Sequence, residues 1–430
     1  MNPEAPLDLI IIGGGIGGVV SLHYARQAGL NALLLEKQGA VGGLWAQLPA
    51  WQDIQGRPED WTLGDLPIGG PDQASIAANI RAWVERFGLS PFIRLNTPVT
   101  RASASADGWE VHTPSQVFTA RHLIAATGGH NRPLVPLVDR QDARVQEFHS
   151  SALTDPAMLS GRDVLVVGGG ASAMDLLDLC FDQRARRVDW VYRSVKWMMP
   201  TRKPKHVAGD IRALARMQMQ GVSVAQMNRE LNADLRQRYD KFGLNDLLPA
   251  NDFDFSRDQL LPGRRTMIAN FADIRRHRGS VQRISGRTVT LTGGEELQVD
   301  VLLWGTGYAM DLGFFDNPAL ARIRSVDALA LRCGSLFKSL DAPRLFFLAT
   351  VLEGSGASPW AYAHAARTLM AHIQGSARLD DTVVTDKLNH FELARFLAGR
   401  DAVNFPPASW SATYRDLAEQ TSDEEPLPIP

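Results

Sequence analysis

The sequence predicts an α/β fold containing two Rossmann-like domains, and three observations carry that reading. Residues 9–20 read LIIIGGGIGGVV and residues 164–175 read VLVVGGGASAMD. Each is an apolar run that ends in clustered glycines and opens into a helical pattern. Each is then followed by a second apolar run, at 32–36 and 188–192, which completes a βαβ unit.

Residues 7–12 are continuously apolar, as expected of a strand buried on both faces of a parallel sheet. Residues 16–27 predict the helix that follows, 32–36 the next strand, and 76–87 a further helix. Asp107-Gly108 marks a turn between hairpin strands at 97–102 and 109–112. A short strand at 123–126 ends in Thr127-Gly128. The pattern then restarts with a strand at 164–167, a helix at 171–180 and a strand at 188–192. Residues 205–245 are rich in Ala, Gln, Met, Arg and Leu and predict a helical insertion. Strands at 289–291 and 297–299 flank Gly293-Gly294. Strands at 301–304 and 345–348 and a helix at 360–373 follow. The acidic, proline-rich end, TSDEEPLPIP, reads as a frayed tail.

Composition removes several classes of function. The 430 residues carry a formal net charge of −2, with both signs mixed throughout, which argues against a nucleic-acid binder. The two cysteines, Cys180 and Cys333, form no Cys-x-x-Cys unit, so neither a disulfide scaffold nor a metal site is indicated. A reducing cytoplasm suits that usage. The start, MNPEAPLD, lacks a basic region, so no signal peptide is expected, and no apolar stretch is long enough to predict a membrane span.

In the first glycine cluster, Gly13, Gly15 and Gly18 have the spacing G-x-G-x-x-G. The first makes the tight turn, the second lets backbone approach a pyrophosphate, and the third lets helix and strand pack closely. The helix N-terminus offers unpaired N–H groups to the phosphates. Glu36, at the end of the second strand, is placed to accept hydrogen bonds from ribose hydroxyls. The competing reading is a glycine turn without a ligand, and the ordered set of strand, glycines, helix, strand and acid weighs against it. The second cluster has Gly168, Gly170 and Ala173, and its following strand ends in Tyr192-Arg193-Ser194. An acid there would repel a 2′-phosphate, whereas Arg193 would bind one and Ser194 would add a donor. The first cradle therefore wants FAD or NAD, and the second NADPH.

These motifs resemble the class B flavin-dependent monooxygenases, a group that includes flavin-containing monooxygenases, N-hydroxylases and Baeyer–Villiger enzymes. The resemblance covers about residues 7–375. It rests on GGGIGG, on GGLW at 42–45, on ATGGHNRP at 126–133, on His149-Ser150, on the second cradle, and on WGTGYAMDL at 304–312. It implies two nested domains. A discontinuous FAD domain is expected over 1–155 and 304–375, with an NADPH domain inserted at 156–303, a helical insertion at about 205–250, and an extension at 376–430. It also implies oxygenation of a small organic molecule by NADPH and O2 through a C4a-peroxyflavin, with Baeyer–Villiger insertion into a carbonyl as the alternative. A flavin reductase is the rival of another class. A homodimer is the candidate assembly.

The resemblance implies flavin contacts from Gly13, Gly15, Gly18, Glu36, Lys37, Gly43, Leu44, Trp45, Val99, Thr127 and Gly128. It implies coenzyme contacts from Gly168, Gly170, Ser172, Ala173, Arg193 and Ser194, and linker contacts from Thr306 and Gly307. Ser358 and Pro359 suit a helix start, whose N-terminus would face the flavin with Trp360 beside it. Flavin-containing monooxygenases carry an asparagine shortly after GGLW, but residues 46–65 contain none. Gln52, Asp53 and Gln55 are the polar substitutes there. Asp53, Gln55 and Arg57 are the candidate catalytic residues, with Arg132 an alternative to Arg57. His149 is a candidate to orient the linker or the nicotinamide, or equally a structural, hydrogen-bonded histidine. Residues 197–199 (Trp-Met-Met), Met217 and Met219 are candidates for an adaptable apolar pocket or for core.

Overall fold

The structure is a computed structural model and describes residues 7–56, 58–61, 63, 66, 68–203, 222–335, 337–348, 350 and 359–383. The expected nesting is present. A nine-stranded sheet draws on both ends of the chain. Its central strand, Leu7–Ile12, pairs in parallel with Ala32–Leu35 on one side and Val117–Ala125 on the other. Leu345–Phe347, from the far end of the sequence, pairs in parallel with the outer side of Val117–Ala125. A five-stranded, all-parallel sheet comes from the middle of the chain. Its order is Ile274–Arg278, Arg187–Tyr192, Asp163–Val167, Val301–Trp304, Gln146–His149. The strand Asp163–Val167 is buried at every position, as its unbroken apolar run predicts.

Several elements differ from expectation for identifiable reasons. The strand expected at 123–126 is nine residues long, because its first half leaves the core to pair with Trp109–His112. That half alternates exposed and buried positions and carries no apolar run. The strand expected at 97–102 is Arg101–Ala104, since Pro98 offers no donor to a ladder. The helix expected at 76–87 starts earlier, at Gln73–Arg86, because the Asp72 carboxylate accepts from the Ser75 amide at 2.9 Å and caps it. The division expected at 155/156 moves upstream. Gln146–His149 pairs with Val301–Trp304, and Asp139–Gln141 joins a separate four-stranded sheet with Val281–Ser285, so both belong with the inserted domain. Of the helical insertion, Val224–Lys241 is described, capped by Ser223. Met217 and Met219 lie outside the described residues. No helix among the described residues is long and apolar enough to cross a membrane.

The first-cradle helix, Ile16–Gln27, packs against Gln73–Arg86 through an aromatic cluster. The His23 ring lies 4.9 Å from Trp83 and 4.1 Å from Phe87. Burial there lowers the His23 pKa from 6.5 to about 4. Between those values the unfolded chain binds a proton that the folded chain does not, so stability falls as pH drops through that window. His23→Phe should flatten the decline of Tm between pH 6.5 and about 4. An unchanged decline would assign the effect to other groups.

Candidate functional site

The two glycine clusters divide their labour in the same way. Gly13 has φ +106°, and a Cβ on it would stand 2.6 Å from the Ala126 carbonyl oxygen. A Cβ on Gly18 would stand 1.8 Å from the Gly13 carbonyl oxygen. Both are glycine because the chain itself leaves no room. Gly15 is different. Its φ is −76°, and a Cβ would meet only the Gly43 Cα, at an ordinary 3.6 Å. In the second cluster Gly168 has φ +129°, and its Cβ would lie 2.3 Å from the Gly305 oxygen, whereas a Cβ on Gly170 would meet nothing within 4 Å. Ala173 replaces a third glycine and is itself fully buried against Gly305. The middle glycine of each cluster thus answers no packing demand of the protein.

Gly15 and Gly170 open onto one cleft of about 1950 Å³ that runs past both cradles. Each is the N-cap of a twelve-residue helix with no capping side chain and no acidic residue in its first turn. The first N–H groups of both helices therefore remain for a ligand. These features are what a dinucleotide pyrophosphate requires of each cradle, so the residues present fit FAD and NADPH.

Around the first cradle, Glu36 is 4% exposed and lines the cleft. Its carboxylate accepts from the Gly14 amide and, at 2.7 Å, from the Gln38 amide, which fixes its orientation and leaves each oxygen a further lone pair. The GGLW segment forms a short 3₁₀ turn, Gly43–Ala46, docked on the cradle by a 2.8 Å bond from the Gly42 amide to the Gly14 oxygen. Lys37, Gly43, Leu44, Trp45, Val99, Thr127 and Gly128 all line the cleft. The Thr127 hydroxyl is buried with no hydrogen-bond partner among the described residues, which marks it for a ligand atom. Gly18 sits behind the cradle and acts through packing.

Around the second cradle, Ser172, Arg193 and Ser194 line the cleft, as does Lys196, which the sequence reading missed. Arg193 and Lys196 are exposed, and neither has an ion-pair partner among the described residues. The Lys196 amide donates to the Gly169 oxygen at 2.9 Å, which brings the segment against the glycine loop. The signal was weak: one lysine in a polar stretch after a strand.

The two linkers cross beside the cleft and brace each other. Arg132–Pro133 pairs with Tyr308–Ala309, and Asn131 and Asp311 exchange bonds of 3.1 and 2.7 Å. The Thr306 hydroxyl donates to the Leu134 oxygen, and the Gly307 oxygen accepts from the Leu134 amide at 3.0 Å. His149 Nδ1 accepts from the Ser151 amide at 3.2 Å, so its Nε2–H donates to the Gly307 oxygen at 2.8 Å. Burial lowers the His149 pKa, against a smaller opposing contribution from the Gly307 bond. His149 thus ties the linker to the inserted domain through its hydrogen bonds.

The candidate catalytic residues separate. Asp53 and Gln55 line the cleft. Gln52 donates to the Ser150 oxygen at 3.1 Å and Trp51 to the Leu153 oxygen at 2.7 Å, so this segment ties the two domains together. Gln52 lines the cleft as well, with one of its amide N–H groups engaged in that tie. Arg132 is exposed in the linker pairing, between Asn131 and Pro133, which line the cleft. Arg57 and Ser358 lie outside the described residues, and of Trp360 only its place in the helix Pro359–Ile373 is described. Met199 lines the cleft, while Met198 and Trp197 are core.

The sequence profile of the pyridine nucleotide-disulphide oxidoreductase family matches residues 10–238. Among known proteins the chain is similar to flavin-containing monooxygenase 5 of Homo sapiens, 25% identical over 348 residues, which is 72% of this chain and 63% of that protein. It is also similar to a Baeyer–Villiger monooxygenase of Streptomyces coelicolor, 30% identical over 217 residues, 48% of this chain and 41% of that protein. The chain thus spans less than two thirds of the length of these relatives. A crystal structure of OTEMO in complex with FAD and NADP superimposes with a TM-score of 0.66 over 99% of both chains at 16% identity, a likeness of fold.

Proposed function

Because this chain belongs to the pyridine nucleotide-disulphide oxidoreductase family, we propose that it is an NADPH- and oxygen-dependent flavoprotein monooxygenase acting on a small organic molecule, with FAD in the first cradle and NADPH in the second. The observation that carries the reading is the pair of middle glycines, Gly15 and Gly170, spare in packing and open onto one cleft. The similarity to flavin-containing and Baeyer–Villiger monooxygenases supports it. When bound, the flavin supplies hydride acceptance from NADPH and the activation of oxygen.

The chain's own residues bind and orient. The uncapped amides after Gly15 and Gly170 would take the two pyrophosphates. Glu36 would accept from the ribose hydroxyls and the Thr127 hydroxyl would meet the flavin. Arg193, Ser194 and Lys196 would take the 2′-phosphate. The GGLW turn, docked on the first cradle, would hold its backbone against the flavin's dinucleotide portion. Asp53 and Gln55 supply polar groups on the segment that joins the domains.

Disulfide exchange, which the family name includes, lacks its dithiol. Cys180 and Cys333 are both fully buried, lie in the cores of different domains, and neither lines the cleft. Burial raises both thiol pKa values, that of Cys333 to about 12. We infer a cytoplasmic enzyme, with a homodimer as the candidate assembly that light scattering tests.

Labelled molecular oxygen separates the remaining classes. One labelled atom in an N- or S-oxide product supports heteroatom oxygenation. One in an ester or lactone supports the Baeyer–Villiger reading that the Streptomyces relative favours. NADPH consumption without any labelled product supports the flavin reductase and overturns the proposal.

Two substitutions test the residue roles. Arg193→Ala should weaken NADPH by roughly 1.5–3 kcal/mol, the scale of a charge-assisted hydrogen bond, and leave NADH almost unchanged. Equal losses with both coenzymes would assign Arg193 to the fold. Asp53→Ala and Gln55→Ala should leave NADPH-driven flavin reduction within about threefold of the parent, because a polar group at the oxygen reaction acts after hydride transfer. Both should divert electrons to free hydrogen peroxide. Coupling equal to the parent's would make the segment a structural tie only.

A further inference from the structure

Arg264 is a charge buried beneath the second cradle. Its side chain is 0% exposed. Nε donates to Asp175 Oδ1 at 2.7 Å, Nη2 to the Ala171 oxygen at 3.4 Å, and Nη1 to the Pro262 oxygen. Asp175 lies in the second turn of the second-cradle helix, Ala171–Asp182, and lines the cleft with 17% of its side chain exposed. The same helix face carries Asp178, which accepts from the Met267 amide, and Asp182, which accepts from the Thr266 hydroxyl at 3.2 Å. The segment 264–267 therefore covers an acidic helix face and places a buried guanidinium against the acid nearest the cradle.

A carboxylate one turn from an anion-binding helix end opposes the function of that end. The uncapped N–H groups attract phosphate, and Asp175 repels it across the same cleft. Desolvating a buried ion pair is costly even when the pair is intact, so a structural purpose alone is served at least as well by an apolar pair.

We propose that Arg264 is a positioning residue for the coenzyme: its guanidinium cancels the charge of Asp175, so that the uncapped end of the second-cradle helix accepts a pyrophosphate. The proposal rests on the reading that this cradle takes a dinucleotide. It is separate from the role of Arg193, because a pyrophosphate is common to NADP⁺ and NAD⁺ and a 2′-phosphate is not.

The test is calorimetric titration of the purified flavoprotein with NADP⁺, NAD⁺ and 2′-AMP, which carries the 2′-phosphate and no pyrophosphate. Arg264→Met should weaken NADP⁺ and NAD⁺ alike, by roughly 10–30-fold, the scale of losing one charge partner beside an anion, and leave 2′-AMP almost unchanged. Arg264→Lys should retain most of the affinity. The double variant Arg264→Met/Asp175→Asn should recover NADP⁺ binding to near the parent's level, which a purely structural role for Arg264 does not predict. Failure of Asp175→Asn to restore binding, or a loss confined to NADP⁺, would overturn the proposal. If Arg264→Met does not fold, Asp175→Asn alone decides: NADP⁺ affinity equal to or above the parent's supports the proposal, and a loss overturns it. A parent protein that binds no NADP⁺ overturns the dinucleotide reading itself, and this proposal with it.

Discussion

Purified Gly15→Ala protein is expected to be folded and nearly colourless. The added methyl meets no atom of the chain closer than the Gly43 Cα at 3.6 Å, so the fold has room for it. It points into the cleft where backbone and pyrophosphate would touch, and overpacking such a contact costs roughly 1–3 kcal/mol or more. Retained FAD should fall to about a tenth of the parent's or less, while Tm of the flavin-stripped proteins stays equal. Gly18→Ala makes the contrast. Its methyl would lie 1.8 Å from the Gly13 oxygen, so that variant should fail to accumulate as folded protein. A full yellow complement in Gly15→Ala would remove Gly15 from the flavin site.

Gly170→Ala is expected to give the complementary defect, a yellow protein that NADPH reduces only at raised concentration. Its Cβ has no neighbour within 4 Å, so neither the inserted domain nor the bound flavin should notice it. The helix it caps presents uncapped N-terminal amides at that point, and a methyl there would hold a pyrophosphate away from them. Affinity for NADP⁺ should fall at least tenfold by the same overpacking argument, about 1.4 kcal/mol or more. Reduction at the parent's rate and NADPH dependence would mean that the second cradle does not hold the coenzyme.

The fold was legible where local chemistry repeats a known arrangement. The two strand–glycine–helix units, Glu36 and the Arg193-Ser194 pair are each set by residues close in sequence, and all of them reach one cleft. The division of labour among the glycines was not legible. Gly15 and Gly18 look alike in the sequence, and only the positions of Gly13 and Gly43 across the turn tell them apart. The boundary near 155 was misplaced because Gln146–His149 is half exposed and becomes a strand only through its pairing with Val301–Trp304. Arg264 is one of two adjacent arginines beyond the helical insertion, with nothing local to mark it. Its partner, Asp175, is 89 residues away. Such pairs depend on how the inserted domain folds back on itself, and no local pattern announces them.

Anaerobic titration of the purified protein with NADPH tests the central claim most directly: one chain holds a flavin and its reductant in two cradles facing one cleft. The parent is expected to carry about one FAD per chain, and NADPH should bleach its visible absorbance far faster than NADH does. A protein purified without flavin, or one whose bound flavin stays oxidised under excess NADPH, would contradict that claim.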